Sequence, residues 1–561
     1  MVNLSADPRT AEQQMRAILF YLTTFGHIDG EFDPSEKAFI RGYVQQIVTH
    51  RVQTAARAAS ESERSLLVRK YTKQFHDVLD EVDLEVRALF SEAVSHDEDQ
   101  NDFVHAKLKL RCFEIFNSFA GSQQEQLMVS IDHLLMSDGE AHPAELKFRA
   151  ELSALLEADL DVELLEELPY ARISVADACE LPVLGEPAPF FAELEQHYSS
   201  DPDTIKSQIA VDRAIMARAI AALDAQRARG AGKLRGKHDV RELSGQAQFL
   251  DGHVVACPPQ PGRAYDLTVL GDLHGCYSCL KAAVTQARFF EKLAAFRADP
   301  QHAPEPKLVL LGDYIDRGMF SINGVLRAAL SLYLHAPEQV VVLRGNHEYF
   351  IEYNGQVYGG VKPSEAIDTL KPHVSVEVFR EYIRLFDALP NMMLFDRTLL
   401  VHGGIPRDLT IKQKLSDLSS LNDAELRFQM LWSDPSTADV IPAALQEQSA
   451  RFAFGRLQAQ RFLQRLGCVA LIRGHDKVSE GFRKVYDDPN LLLCTLFSSG
   501  GEDNHDLPEN SSYRQVTPMA LTLTHRAGAT QLTPWRIAYE QFDDPRRNRF
   551  YESEAELAFV G

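Results

Sequence analysis

Apolar residues recur along this chain with two different periods. Up to about residue 165 they repeat at helical spacing. Met15, Ile18, Leu19 and Leu22 share one face, as do Leu127, Ile131, Leu134 and Leu135. Further along the pattern becomes short continuous runs: Leu267 to Leu270, Leu308 to Leu311, Val340 to Leu343, Leu399 to Val401 and Val469 to Ile472. Such runs, rich in leucine and β-branched residues, predict buried strands. Between the two regimes, Glu186 to Ser199 and Pro202 to Arg227 predict helices. The Gly-rich basic segment Arg229 to Lys237 predicts a solvated linker, with a docking strap as the alternative. The expected division is a helical region over 1–165, a connector over 166–240, an α/β region over 241–545 and a tail over 546–561.

Each predicted strand runs into a loop carrying Asp, Asn or His. In order these are Gly271-Asp272-Leu273-His274-Gly275, the 312–318 segment with Asp313, Asp316 and Arg317, Gly345-Asn346-His347-Glu348, His402-Gly403-Gly404, and Arg473-Gly474-His475. An α/β sheet gathers an active site from several strand ends in this way. Two Asp, one Asn and three His form a set of hard and borderline donors suited to two divalent ions such as Mn²⁺, Fe²⁺, Zn²⁺ or Mg²⁺.

The ordered set GDxHG, GDxxDRG, GNHE, HGG and RGH resembles the PPP family of metal-dependent phosphatases. Leu431 to Pro435 (LWSDP) and Phe454-Gly455 with Phe462-Leu463 agree with it, and the resemblance covers about residues 240–545. It implies a calcineurin-like α/β domain with a central β-sandwich flanked by helices, two divalent metals (manganese first) and a phosphoprotein substrate. It also implies site roles. Asp272 and His274 would hold one metal, Asp313 would bridge, and Asn346, His402 and His475 would complete the second. His347 would be the general acid, Asp316 its partner, and Arg317 a phosphate contact. Arg344 would brace its loop or touch phosphate. The activity implied is a protein serine/threonine phosphatase using a water activated by the dinuclear centre. Hydrolysis of dinucleoside tetraphosphates or of phosphotyrosine is the alternative on the same site.

The sequence departs from that family in three places. Where eukaryotic-type members have a second phosphate-binding Arg, counting back from Gly455 gives Gln448, and Arg451 is the candidate replacement. The loop Ser498 to Asp503 lacks the Tyr and Cys of its relatives. Cys276-Tyr277-Ser278-Cys279 is a CxxC without a second copy, which favours a structural role over zinc or redox chemistry.

The helical region contains a diverged repeat. Asp29-Gly30-Glu31 through Pro34 and Glu36 matches Asp138-Gly139-Glu140 through Pro143 and Glu145, and Phe39 matches Phe148. An apolar helix, DGE-x-x-P-x-E, then another helix resembles the TerB-like family, a mostly bacterial all-α module. Three readings stay open for the acidic loops: helix capping, a cation site of Asp29, Glu31, Asp138 and Glu140, or a docking surface for a protein partner. A scaffold or sensor dominated by this region is the alternative of another class.

Composition narrows the picture. A net charge of −22 argues against a nucleic-acid partner. Seven scattered Cys and no basic-then-apolar N-terminus fit a cytoplasmic protein, and no apolar run reaches the length of a membrane span.

Overall fold

The computed structural model describes the chain except residues 1–3, 6, 29–31, 33, 57–58, 90–93, 96–97, 120, 137–142, 158–172, 186, 558 and 560–561. The chain divides into two compact units. One comprises Met1–Glu163 with Ser436–Ala453, the other Leu164–Pro435 with Phe454–Gly561. No helix among the described residues is long and apolar enough to cross a membrane.

The first unit is helical: Pro8–Phe25, Pro34–Ala55, Glu61–Leu89, Gln100–Asn117, Gly121–Leu135 and Pro143–Glu157. Pro8 opens the first helix, where a missing N–H is harmless, and the Asp7 carboxylate accepts from Thr10 N at 2.8 Å. Met15, Ile18, Leu19 and Leu22 are fully buried, in one core with Leu127, Ile131 and Leu134. Glu36 and Glu145, at matching positions of the repeat, are both buried in the first turn of their helices. The helix dipole favours a carboxylate there. The segment Ser436–Ala453 contributes Ile441, Leu445 and Ala453 to this same core, and Ser436 Oγ donates to Glu114. A stretch of the expected α/β region thus packs with the helical unit, because its apolar residues find their burial there.

The second unit holds two seven-stranded sheets. One runs in the order Ile173–Val175, Ala529–Arg536, Met519–Arg526, Tyr265–Leu270, Glu305–Leu310 and Val340–Val342, with Cys179–Glu180 also on Ala529–Arg536. The other runs Phe482–Asp488, Leu491–Leu496, Ala470–Arg473, Thr398–Val401, Met392–Phe395, Val254–Cys257 and Phe249–Asp251. Strand alternation divides their side chains between two cores. Met393, Phe395, Leu400, Ala470 and Ile472 share a core with Leu267 and Val269 of the other sheet. Met392, Leu394, Leu399, Val401 and Leu471 face the opposite way, onto Phe462 and Leu463 of helix Arg456–Leu466. Tyr265–Leu270, Glu305–Leu310 and Val340–Val342 are mutually parallel, as are Thr398–Val401, Ala470–Arg473 and Leu491–Leu496.

Two connector expectations differ from the structure. Over 187–199 only Pro189–Ala192 is helical. Gln208 Nε2 donates to His197 O at 2.7 Å and Tyr198 Oη to Asp212 at 2.6 Å, so this stretch is tied to helix Pro202–Gly230 instead of bonding to itself. The basic segment is a folded turn. Gly232 and Leu234 N–H donate to the Asp251 carboxylate at 3.1 and 2.9 Å, Gly236 N–H donates to Asp417 at 2.7 Å, and Leu234 is fully buried. Its glycines and cations read as a linker, but two carboxylates distant in sequence capture its backbone donors.

Candidate active site

The five loops that follow the parallel strands converge on one buried cluster. Asp272, His274, Asp313, Asn346, His402 and His475 are all buried. His274 Nε2 lies 3.4 Å from Asp313 Oδ2 and 3.7 Å from Asp272 Oδ2. His402 Nε2 lies 3.4 Å from Asp313 Oδ1 and 2.8 Å from Asn346 Oδ1, and His475 Nδ1 lies 3.1 Å from Asn346 Oδ1. Asp313 is therefore central. Donor atoms of His274, Asp313 and His347 fall within 4.8 Å of one another, and so do those of Asp313, His402 and His475.

The backbone is bent to allow this. His274, Asp313, Asp316, Arg317 and His475 all have φ between 41° and 68°, a region few non-glycine residues enter. Two glycines keep space for the carboxylates. A Cβ on Gly345 would stand 2.1 Å from Asp313 Oδ1, and one on Gly474 would stand 2.3 Å from Asp272 Oδ1.

Electrostatics test the fit of metal ions. Burial, the largest cause, pushes the Asp272 carboxyl up to about 7 and Asp313 well above its ordinary value, and Asp272 adds to the effect on Asp313. Burial holds His274 and His402 well below the usual histidine range, so their nitrogen lone pairs stay free of protons. Crowded carboxylates beside neutral imidazoles, all out of water, form a donor set that divalent cations would stabilise.

His347 carries a carboxylate partner of its own. Its Nδ1–H donates to Asp316 Oδ2 at 2.7 Å, which leaves Nε2 turned to the cluster, 4.0 Å from Asp313 Oδ2. Asp316 Oδ1 accepts from Ala366 N at 2.8 Å, and burial pushes its carboxyl up to about 6. Arg317 Nη1 pairs with Glu365 Oε1 at 2.7 Å. Tyr513 stands at the same place, its ring centroid 5.3 Å from that of His274 and its hydroxyl interacting with Arg317.

Several of these residues were not singled out from the sequence. Glu348 is fully buried and accepts from Asp313 N at 2.7 Å, Tyr314 N at 2.8 Å and Gly345 N at 2.9 Å, stapling two site loops together. Its place in Gly345-Asn346-His347-Glu348 was the available signal. Glu365 and Tyr513 lie far from any motif and had none. Arg344 donates to Glu348 O at 2.9 Å and to Asp387 at 3.0 Å, and so braces the loop. Gln448 and Arg451 lie on Ser436–Ala453, the stretch that belongs to the helical unit. Asp29, Glu31, Asp138 and Glu140 lie outside the described residues. Cys276 and Cys279 are buried thiols with Sγ atoms 3.2 Å apart, and Asn504 Nδ2 donates to Cys276 Sγ at 3.0 Å.

Residues 265–479 match the calcineurin-like phosphoesterase family. The chain is 30% identical over 237 residues to the serine/threonine-protein phosphatase 6 catalytic subunit of Caenorhabditis elegans, covering 42% of this chain and 64% of that protein. It is 28% identical over 259 residues to a probable serine/threonine-protein phosphatase of Encephalitozoon cuniculi, covering 46% of this chain and 51% of that protein. The chain thus spans less than two thirds of the length of these relatives. A solved structure of a Saccharomyces cerevisiae protein serine/threonine phosphatase, described as similar to human phosphatase PP5, aligns with a TM-score of 0.38 at 19% identity, covering 58% of this chain and 89% of that one. The cluster of Asp, Asn and His at the strand ends thus lies within residues 265–479, the stretch that is similar to calcineurin-like phosphoesterases, and the proteins that resemble this part of the chain include serine/threonine-protein phosphatases.

Proposed function

We propose that this protein is a metal-dependent phosphomonoesterase acting on phosphoserine and phosphothreonine of a protein substrate. The observation that carries the reading is the His347–Asp316 pair, 2.7 Å apart, with His347 Nε2 facing Asp313 of the donor cluster. Asp272, His274, Asp313, Asn346, His402 and His475 would hold two divalent ions, manganese first among them. When bound, such ions supply positive charge to a phosphate and make a water acidic enough to attack near neutral pH.

The chain's own residues do the rest. Asp316 fixes the His347 ring through Nδ1, so that Nε2 presents a proton to the departing serine or threonine oxygen. Arg317 offers a planar guanidinium to phosphate oxygens, and Glu365 holds it in place until a phosphate competes for it. Tyr513 adds a hydroxyl on the same side. Glu348 and Arg344 keep the loops of Asp313 and His347 in register. The helical unit, with its TerB-like sequence pattern, serves regulation or targeting through a protein partner.

Phosphate release by the full-length protein with Mn²⁺ tests this. A phosphothreonine peptide and diadenosine tetraphosphate are run side by side, with His347→Ala as control. Peptide turnover that the variant loses supports the reading. Turnover of the dinucleotide alone overturns the substrate assignment, and no metal-dependent turnover of either overturns the activity.

A further inference from the structure

A second polar site lies within the same unit, built from none of the residues above. Helices Pro202–Gly230 and Arg327–His335 meet the edge strands Val340–Val342 and Phe249–Asp251 around a cavity of about 240 Å³. Leu223, Leu330 and Val341 give it apolar walls. Of the polar side chains that line it, two carry a buried atom with no hydrogen-bond partner in the protein: the Tyr333 hydroxyl and Gln248 Oε1. Tyr333 is only 3% exposed. Buried polar groups are costly to leave unpaired, so they mark a place where a partner of another kind is expected.

Gln248 is also held in one orientation. Its Nε2 donates to Glu338 O at 3.1 Å, so its Oε1 is committed to accepting from something else. The opening of the cavity is charged. Arg229 and Lys233 line it against one acid, Glu338, which sits 3.6 Å from Arg229. Lys233 stands 5.0 Å over the Phe249 ring. A surplus of cations is unusual on a chain with a net charge of −22. It favours an anionic group at that end.

We propose that this cavity is a binding site for a small organic acid with an apolar body and one hydroxyl group. The apolar body lies against Leu223, Leu330 and Val341. The ligand hydroxyl donates to Gln248 Oε1 and accepts from Tyr333, and the carboxylate faces Arg229 and Lys233. A few polar groups set in an otherwise apolar pocket are how small-molecule sites fix orientation.

Three matched probes test it by isothermal titration calorimetry on the full chain: 4-hydroxyphenylacetate, phenylacetate and tyramine. The first carries both the hydroxyl and the negative charge, the second lacks the hydroxyl, and the third reverses the charge. The expected result is one 4-hydroxyphenylacetate per chain, bound about tenfold more tightly than phenylacetate, with tyramine weakest. Tyr333→Phe keeps the ring and should remove most of that tenfold advantage. Lys233→Glu alters an exposed residue and should weaken both acids without weakening tyramine. Absence of 4-hydroxyphenylacetate binding at millimolar concentration overturns the proposal, as does binding that neither substitution changes. The readout is binding alone, so it stands or falls apart from the phosphatase reading.

Discussion

The two units use their backbones differently. Among the described residues, nine non-glycine residues have positive φ, and all nine belong to the α/β unit; five of them are site residues. The helical unit has none among its described residues and is held by apolar faces such as Met15, Ile18, Leu19 and Leu22. Left-handed backbone costs of order 1 kcal/mol or more per residue and persists only where surrounding contacts enforce it. Here those contacts are the Glu348 staple and the tight approach at Gly345 and Gly474. One unit is built to stay folded; the other also spends stability to hold donors in one place.

The strongest way to break that contrast is to remove the central donor. Asp313→Asn keeps the size of the side chain but halves its ligand capacity. We expect phosphate release to fall by about a thousandfold or more, in line with losing electrostatic stabilisation of the transition state. The bound-metal content, read by atomic emission, should fall with it while the circular dichroism spectrum stays intact. Wild-type turnover at an unchanged metal content would show that Asp313 is not the centre of the site.

Asp316→Asn should have the next largest effect, about a hundredfold on kcat, because the His347 ring loses the negative charge of its acceptor. The pH dependence sharpens this. Ionised Asp316 is the stronger, charged acceptor for His347 Nδ1–H, so activity should fall as pH drops through about 6. Stability should move the other way. Folding raises this carboxyl from 3.8 to about 6, so its proton favours the folded state at low pH and that contribution is lost as pH rises through this window. In Asp316→Asn both trends should vanish, which a pH series of kcat and of urea midpoints would reveal.

The same contrast explains what the sequence disclosed. Asp272, Asp313, Asn346, His402 and His475 were legible because each lies within three residues of the end of an apolar run, and a strand end fixes where the next two or three residues point. Arg344 was half legible: its position beside Asn346 placed it in the loop, but only the fold shows it reaching Glu348 O and Asp387. Glu365 and Tyr513 were silent, since long connections bring them to Arg317 and no local pattern marks that contact. The basic segment misled because glycine and lysine composition says nothing about Asp251 and Asp417 waiting to accept its N–H groups. In the helical unit, periodicity disclosed the core faces of Pro8–Phe25 and Gly121–Leu135, but not that Ser436–Ala453 would join them.

A smaller effect is expected at Glu365. It is 9% exposed and its Oε1 holds Arg317, so Glu365→Gln replaces a charged anchor with a neutral one. Arg317 should then be easier for phosphate to recruit and less well positioned beforehand. The expected outcome is a severalfold change in KM, about three- to tenfold, with kcat within about twofold, since one charge-assisted bond is exchanged for a weaker one. An equal fall in kcat and kcat/KM would instead place Glu365 in the transition-state contacts.

The smallest effect on activity should come from the largest disturbance of the other unit. Phe113 is 1% exposed in the helical core, close in the chain to Phe116, whose ring lies 5.0 Å from Tyr21. Phe113→Ala should destabilise that unit by about 3–5 kcal/mol through lost burial and the cavity left behind. The left-handed site residues all lie in the other unit, where Glu348 and the site glycines enforce them. Below the unfolding transition, kcat on a small phosphomonoester should therefore stay within about twofold of wild type, because no transition-state contact is altered. Urea unfolding followed by helical circular dichroism and by phosphate release decides the matter. An early dichroism loss with later loss of activity means that the two units carry separate stabilities. Coincident transitions mean that the strained site draws on the helical core as well, and that the contrast between the units is one of composition and not of energy.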